Sequence, residues 1–143
     1  MSRANNSTDS RRYYDWFYRS ELDLLSARAL IEDKRLYDPA VFHCVQAIEK
    51  SFKAFLLFNT RRLFDGHNLV WLCKQCVLLH EFFRSCISKT APLNRYYIET
   101  RYPADVPELI TKEFAENTLK TVIEITDFIR EYLKFDFNSY KLK

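Results

Sequence analysis

The feature that most limits the fold of this chain is its low glycine content. Gly66 is the only glycine among the 143 residues. Tight turns between strands usually need a residue that tolerates positive φ, and glycine is the common choice. A sheet-rich fold is therefore disfavoured, and helices joined by a few loops are expected. The hydrophobic share of 48% supplies enough apolar surface for one ordinary core, so a disordered chain is excluded as well.

Two segments carry apolar residues in alternating steps of three and four, which places each series on one face of a helix. The first series is Tyr13, Phe17, Ser20, Leu24, Ala27 and Ile31, and the last is Ala115, Leu119, Val122, Thr126, Ile129 and Leu133. The charged residues of the first helix, Glu21, Asp23 and Arg28, are expected on its other faces.

Between these segments, residues 39–58 are apolar nearly all round, which is typical of a central, enclosed helix. Asp38 and Pro39 predict its start, with Asp38 as N-cap and Pro39 at the first helical position. A third helix is expected from about Asn68 to Leu79, with residues 80–89 continuing it or forming a short helix of their own. Residues 91–109 hold three of the four prolines and predict an irregular connection.

These elements predict an all-α protein, an up-and-down antiparallel bundle of four to five helices. The bundle is expected over residues 11–134, after a disordered tail at residues 1–10 and before a C-terminal tail at residues 135–143. No stretch approaches the ~20 apolar residues of a membrane span. The polar start has no apolar run of signal-peptide length, so a cytoplasmic protein with reduced cysteines is expected.

The pair Cys73 and Cys76, with His80 and Cys86 nearby, supplies at most half of a structural zinc site. Apolar neighbours surround the pair, so buried and inert thiols are the favoured interpretation. We expect no metal and no cofactor. The formal charge of +3 is too small to identify a nucleic-acid-binding protein by itself.

A polar stripe on the central helix is the first candidate for function. His43, Gln46, Lys50 and Lys53 lie three or four residues apart and therefore share one helical face. The lysines are typical of a strip that contacts phosphates. They are also typical of a solvated helix edge on which Glu49 pairs with Lys53.

Two loops combine basic residues with other groups that could do chemistry. Arg61 and Arg62 precede His67 within six residues, so a metal-independent ribonuclease could use His67 to move a proton and Arg62 to stabilise charge on phosphorus. Local packing of His67 and solvation of the arginine pair are the favoured interpretation, because arginine and histidine occur often at such a spacing by chance. Further on, residues 95–97 and 101–103 interleave arginine with tyrosine, a pattern that holds bases and phosphates or simply pins a loop to the bundle.

Several pieces of the chain, taken in order, resemble the HEPN family, the helical nucleotide-binding modules of higher eukaryotes and prokaryotes. Residues 46–54 read Gln-Ala-Ile-Glu-Lys-Ser-Phe-Lys-Ala, similar to the family's Gln-Ala-x-Glu-Lys-x-x-Lys-Ala hallmark. Trp16 and residues 23–27 resemble its first helix. The His-Asn-Leu at residues 67–69 is similar to its His-Asp-Leu, and residues 101–103 read Arg-Tyr-Pro like its loop.

The resemblance implies a helical bundle, often a homodimer and often encoded beside a minimal nucleotidyltransferase as a toxin–antitoxin pair. It also implies a non-catalytic module that binds a nucleotide or an anionic partner. Lys50 and Lys53 would then meet phosphates, while Arg101 and Tyr102 would hold sugar or base. The alternative is a metal-independent HEPN ribonuclease, the toxin of such a pair, using Arg62 and His67. Leu63 follows Arg62 where ribonuclease members favour a polar residue, so the binding module is preferred.

Overall fold

The computed structural model describes residues 8–97 and 109–140, and every regular element in these ranges is helical. Five α-helices run in chain order, α1 (Tyr13–Leu30), α2 (Tyr37–Thr60), α3 (Leu69–Val77), α4 (Ile87–Thr90) and α5 (Lys112–Leu133). Short 3-10 helices occupy Lys34–Leu36, Glu81–Cys86, Ala91–Tyr97 and Phe137–Ser139. The predicted all-α bundle is confirmed. No helix in the described part is both long and apolar enough to cross a membrane.

The central position of α2 follows from its sequence, because it is the helix with apolar residues on nearly all sides. It packs against α1, α3 and α5, and its core side chains from Val41 to Leu56 are fully buried. On α1, the small residue Ser20 lets the two backbones approach closely. Its hydroxyl donates a hydrogen bond to the carbonyl oxygen of Ala47, 2.7 Å away. The first and last helices bury the faces that the periodicity predicts.

The predicted start of α2 is wrong by two residues. Leu36 is the N-cap, so Asp38 and Pro39 lie inside the first turn. The reason is the 3-10 helix Lys34–Leu36, which leads directly into α2 and is itself capped by Asp33. Pro39 is tolerated in the first turn because the amide hydrogens there have no partner within the helix.

The third helix ends at Val77 and does not reach Leu79. It begins after Asn68, whose side chain accepts a hydrogen bond from the backbone amide of Trp71 at 3.0 Å. His80 is extended, and its ring accepts a hydrogen bond from the amide of Phe82, so a new 3-10 helix begins there. Part of the predicted irregular connection is the 3-10 helix Ala91–Tyr97, whereas residues 98–108 lie outside the described ranges.

The chain returns to α1 after α5 ends. Lys134 adopts the left-handed conformation, with φ of 53°, and turns the backbone. Phe135 then packs edge-on against Phe17, and the ring of Tyr140 stacks on Tyr18 with centroids 4.2 Å apart. The described part of the predicted C-terminal tail, residues 135–140, therefore lies against α1. The rest of that tail and most of the predicted N-terminal tail, residues 1–7, lie outside the described residues.

Candidate ligand-binding site

A buried carboxylate of α1 holds two side chains of the polar stripe on α2. Asp23 Oδ1 lies 2.9 Å from His43 Nδ1, and Asp23 Oδ2 accepts a hydrogen bond from Lys50 Nζ at 2.7 Å. The sequence pattern predicts Asp23 outside the apolar face of α1, yet the side chain is buried against α2. The physical reason is this pairing, because a buried carboxylate is stable only when charged or hydrogen-bonding partners replace its water.

A second carboxylate, Glu49, lies deeper and ties α2 to the loop before α3. Its Oε2 atom lies 3.1 Å from Lys53 Nζ and 2.9 Å from His67 Nδ1. Glu49 is only 4% exposed and Lys53 5%. Burial alone would raise the pKa of Glu49, but the hydrogen bond to His67 and the charge of Lys53 hold it below its usual value. The carboxylate therefore stays ionised inside the bundle.

Lys53 is enclosed from the side of α1 as well. Its ammonium nitrogen lies 5.5 Å from the ring centroid of Trp16, a cation–π distance. The indole Nε1 of Trp16 donates a hydrogen bond to the backbone oxygen of Ser10 at 2.8 Å, which fixes the ring. Of the two stripe lysines, Lys53 is thus a buried member of an ion-pair network, whereas the side chain of Lys50 is 27% exposed.

Two adjoining cavities open around these groups. The smaller one has a volume of about 130 Å³ and lies over Glu49, Lys53 and His67. The larger one, which we call the Lys50 cleft, has a volume of about 610 Å³. It is lined by Thr8, Asp9, Ser10, Arg12, Asp15, Trp16, Arg19, Lys50 and Tyr140. Asp9, Trp16 and Lys50 border both cavities.

The Lys50 cleft is lined by three basic residues, Arg12, Arg19 and Lys50, and by two acidic ones, Asp9 and Asp15. Arg12 Nε lies 2.7 Å from Asp15 Oδ2, whereas Arg19 is exposed and makes no ion pair within the described residues. Burial would raise the pKa of Asp15, but hydrogen bonds from Ser10, Tyr140 and Arg12 lower it overall. Burial and the same contact with Asp15 raise the pKa of Tyr140 to about 12. The phenol therefore keeps its proton at neutral pH. The hydrogen bond to Asp15 raises the pKa of Arg12, so that guanidinium keeps its charge.

The two residues considered for catalysis, Arg62 and His67, differ in their contacts and exposure. His67 is held at Nδ1 by Glu49, whereas Arg62 is exposed, with its guanidinium carbon 5.2 Å from the ring centroid of Phe64. Of the basic-aromatic loop, Arg95 donates a hydrogen bond to the hydroxyl of Tyr96 at 3.0 Å. Arg101 and Tyr102 lie outside the described residues.

The sequence pattern did not identify Arg12, Arg19 and Tyr140 as residues of the Lys50 cleft. Arg12 and Arg19 have a detectable signal, because Arg12, Trp16, Arg19 and Asp23 follow one another at steps of four, three and four along one side of α1. This series lies roughly a quarter of a turn from the apolar stripe, on a neighbouring side of the same helix. Tyr140 has no local signal, because its position depends on the return of the chain over α1 after α5.

The four cysteines are free and buried, and none of them lines either of the two cavities. Burial raises the pKa of Cys44 and of Cys73 to about 12 and raises that of Cys76 further. Within residues 8–97 and 109–140, no three histidine, cysteine or acidic side chains come together as metal ligands would. These thiols are part of the core.

The described helices pack around α2, and Glu49 and Lys53 of α2 form a buried network with His67 of the loop that follows, so the chain is a small all-α helical domain. The profile of the family described as HEPN domain matches residues 13–132, and the chain belongs to that family.

The chain is also similar to proteins from other organisms. The chain is 30% identical over 129 residues to "Putative toxin MJ1304" of Methanocaldococcus jannaschii, covering 81% of this chain and 84% of that protein. It resembles the crystal structure of TT1696 from Thermus thermophilus with a TM-score of 0.71 and 26% identity, over 85% of this chain and 98% of that one. The structure of ST0689, an archaeal HEPN homologue, matches in fold with a TM-score of 0.60 and 24% identity, over the same shares.

Proposed function

We propose that this HEPN domain is a non-catalytic module that binds a nucleotide, or another ligand with a phosphate group, in the Lys50 cleft. The observation that supports this most is the lining of the cleft, which brings together the basic residues Arg12, Arg19 and Lys50 and the aromatic residues Trp16 and Tyr140. Its volume of about 610 Å³ lies in the range of roughly 300–1,000 Å³ that is usual for small-molecule sites.

The cationic residues of the cleft would have different tasks. Arg19 has its guanidinium available for a phosphate, because it forms no ion pair in the described part of the chain. Lys50 is fixed by Asp23, so it offers a positioned hydrogen-bond donor whose charge is largely compensated. The aromatic rings of Trp16 and Tyr140 would contact the base. The strongest loss of affinity is therefore expected from the removal of Arg19.

Lys53 lines the smaller cavity and would contact a phosphate there. That cavity, of about 130 Å³, has room for a phosphate group but not for a whole nucleotide. A phosphate entering it would meet Lys53 and would also meet the carboxylate of Glu49. We also propose that Arg101 and Tyr102 contact the sugar or the base of the nucleotide.

Calorimetric titration with ATP, GTP and a short RNA tests this function. We expect saturable binding by the wild type, about tenfold weaker binding by Arg19→Gln, and a smaller loss in Lys50→Gln. The matched control is Arg28→Gln, which removes another exposed arginine of α1 nine residues further on, on the opposite side of the helix. Circular dichroism verifies that each variant is folded. Equal binding by all four proteins would refute the proposal.

The second candidate function is a metal-independent ribonuclease that uses Arg62 and His67. It is favoured by one observation, the buried carboxylate of Glu49 that orients the His67 ring through Nδ1. A relative whose name is that of a toxin is consistent with it. Purified protein incubated with total RNA in the presence of EDTA, beside His67→Asn, distinguishes the two functions. RNA that survives equally in both samples excludes the enzyme.

We further propose that the domain works in the cytoplasm as a homodimer paired with a minimal nucleotidyltransferase, as one half of a toxin–antitoxin system. Exposed apolar side chains near the start of α3 and just after its end support association, since Trp71 is 43% exposed and Leu78 79%. Light scattering should give twice the mass of the single chain. Co-purification with the product of an adjacent nucleotidyltransferase gene tests the pairing, and a monomer that captures no such partner contradicts it.

A further inference from the structure

Another cleft, which we call the arginine cleft, lies between the start of α1 and the end of α2. It has a volume of about 440 Å³ and is lined by Arg11, Arg12, Tyr13, Tyr14, Leu57, Phe58 and Arg61. Three of these residues carry guanidinium groups and three carry aromatic rings, and no acidic residue is among them. Arg12 also borders the Lys50 cleft, so the two clefts are neighbours.

The positive charge of the arginine cleft is only partly compensated. Arg12 pairs with Asp15, but Arg11 and Arg61 are exposed and form no ion pair within the described residues. Guanidinium groups gathered around one concave surface repel each other and concentrate anions there. Each also has the planar shape that matches the oxygens of a phosphate.

Aromatic rings line the arginine cleft together with these arginines. Tyr13 packs edge-on against Phe58 with ring centroids 4.9 Å apart, and Phe58 remains 43% exposed. The guanidinium of Arg12 lies 5.4 Å from the ring centroid of Tyr14. Rings set beside cations are the means by which proteins hold single-stranded nucleic acids, because every base has a face that can stack.

Arg61 occupies an unfavourable backbone conformation. Its φ of 60° is left-handed, and its amide donates a hydrogen bond to the oxygen of Leu57 at 2.9 Å. Glycine is the usual residue at this position after a helix, because a side chain there is strained. A structural explanation for the arginine exists, since a cation at the carboxyl end of a helix interacts favourably with the helix dipole. A test must separate that role from ligand binding.

We infer that the arginine cleft is a second subsite, which binds a further phosphate and base of a single-stranded oligonucleotide whose first nucleotide occupies the Lys50 cleft. This inference rests on the proposed function and extends it from a mononucleotide to a longer ligand. Arg12 links the two subsites. An acidic peptide would use the guanidiniums but not the rings, so an oligonucleotide fits the lining better.

The test compares AMP with hexa-adenylate RNA by calorimetry. The wild type should bind hexa-adenylate about tenfold more tightly than AMP, since a second set of charged hydrogen bonds is added. Arg61→Gln should abolish that gain and leave the affinity for AMP unchanged. It should also reduce the slope of log K against log salt by about 0.7 for the lost phosphate contact. The control Arg28→Gln should change neither quantity.

Arg61→Gly separates ligand binding from a structural role. Glycine removes the backbone strain, so this variant should unfold at the same or a higher temperature and still bind hexa-adenylate as weakly as Arg61→Gln. Wild-type levels of binding in Arg61→Gly overturn the inference in favour of a structural role. So does equal affinity of the wild type for AMP and hexa-adenylate. A glutamate peptide that binds in an Arg61-dependent manner where hexa-adenylate does not also overturns it.

The same titrations distinguish failure of this inference from failure of the proposed function. If AMP binding depends on Arg19 and no gain accompanies the longer ligand, only the second subsite is excluded. If AMP does not bind in the Lys50 cleft, the proposed function fails and the inference fails with it. Tight binding of hexa-adenylate that depends on Arg61, together with AMP binding that depends on Arg19, supports both.

Discussion

At the scale of single residues, the two lysines of the polar stripe on α2 differ in their burial. Lys53 is buried against Glu49 and the ring of Trp16, whereas Lys50 reaches the surface of a cleft. The spacing of Glu49 and Lys53 on one helix makes their ion pair predictable from the sequence. The contact of His67 with Glu49 is not predictable in this way, because it depends on how the loop after α2 folds back.

Breaking the buried pair should cost much more stability than breaking an exposed one. Lys53→Ala leaves a buried carboxylate with only His67 as its partner, so we expect a loss of about 3 kcal/mol in the free energy of unfolding. Lys89→Ala breaks the exposed pair with Glu124 and should cost less than about 1 kcal/mol. Urea denaturation measures both, and similar losses would show that Lys53 is not enclosed in the native protein.

The cysteine thiols should be unreactive in the folded protein. Because burial raises the pKa of Cys44 and Cys73 to about 12, almost no reactive thiolate is present at pH 8. We expect Ellman's reagent to modify none of the four thiols until urea unfolds the chain, and all four afterwards. Rapid reaction of a thiol in native buffer would contradict their placement in the core.

At the scale of helices, the pattern of apolar residues is a good guide to interiors and a poorer one to ends. The stripes of α1 and α5 predict their buried faces because burial alone decides those positions. The start of α2 and the end of α3 depend on competing short-range hydrogen bonds, made by Asp33 and His80. Each of these hydrogen bonds depends on one side chain, so it produces no periodic pattern in the sequence.

The link between α2 and the loop before α3 should weaken in acid. The pKa of Glu49 is lower in the folded protein than its ordinary value of 4.5, so its ionised form stabilises the fold. This contribution is complete above the unfolded pKa, and it is lost as the pH falls through the folded pKa.

Thermal unfolding of the wild type and of Glu49→Gln between pH 7 and acidic pH measures this contribution. The wild type should lose stability below about pH 4.5 more steeply than the variant, which has no carboxylate to protonate there. Glu124→Gln, which changes an exposed carboxylate, is the matched control. If the unfolding temperatures of the wild type and Glu49→Gln fall equally steeply in acid, Glu49 does not provide this pH dependence.

At the scale of the whole molecule, the candidate site is assembled from both ends of the described chain. Ser10 and Arg12 precede α1, while Tyr140 arrives after α5 and hydrogen-bonds to Asp15. The all-α fold and the role of α2 could be predicted from the sequence, because they follow from patterns within single helices. The Lys50 cleft could not, because it exists only where three distant segments meet.

The central claim is that phosphate-bearing ligands bind in the Lys50 cleft, and the two tryptophans of the chain allow a direct test. Trp16 lines that cleft, whereas Trp71 lies on α3 and borders neither that cleft nor the arginine cleft. Each indole N–H gives its own resonance in a nitrogen–proton correlation spectrum. During titration with ATP, we predict that the Trp16 resonance shifts to saturation and the Trp71 resonance stays in place. A shift of Trp71 alone, or no shift of either at saturating ATP, would contradict the account.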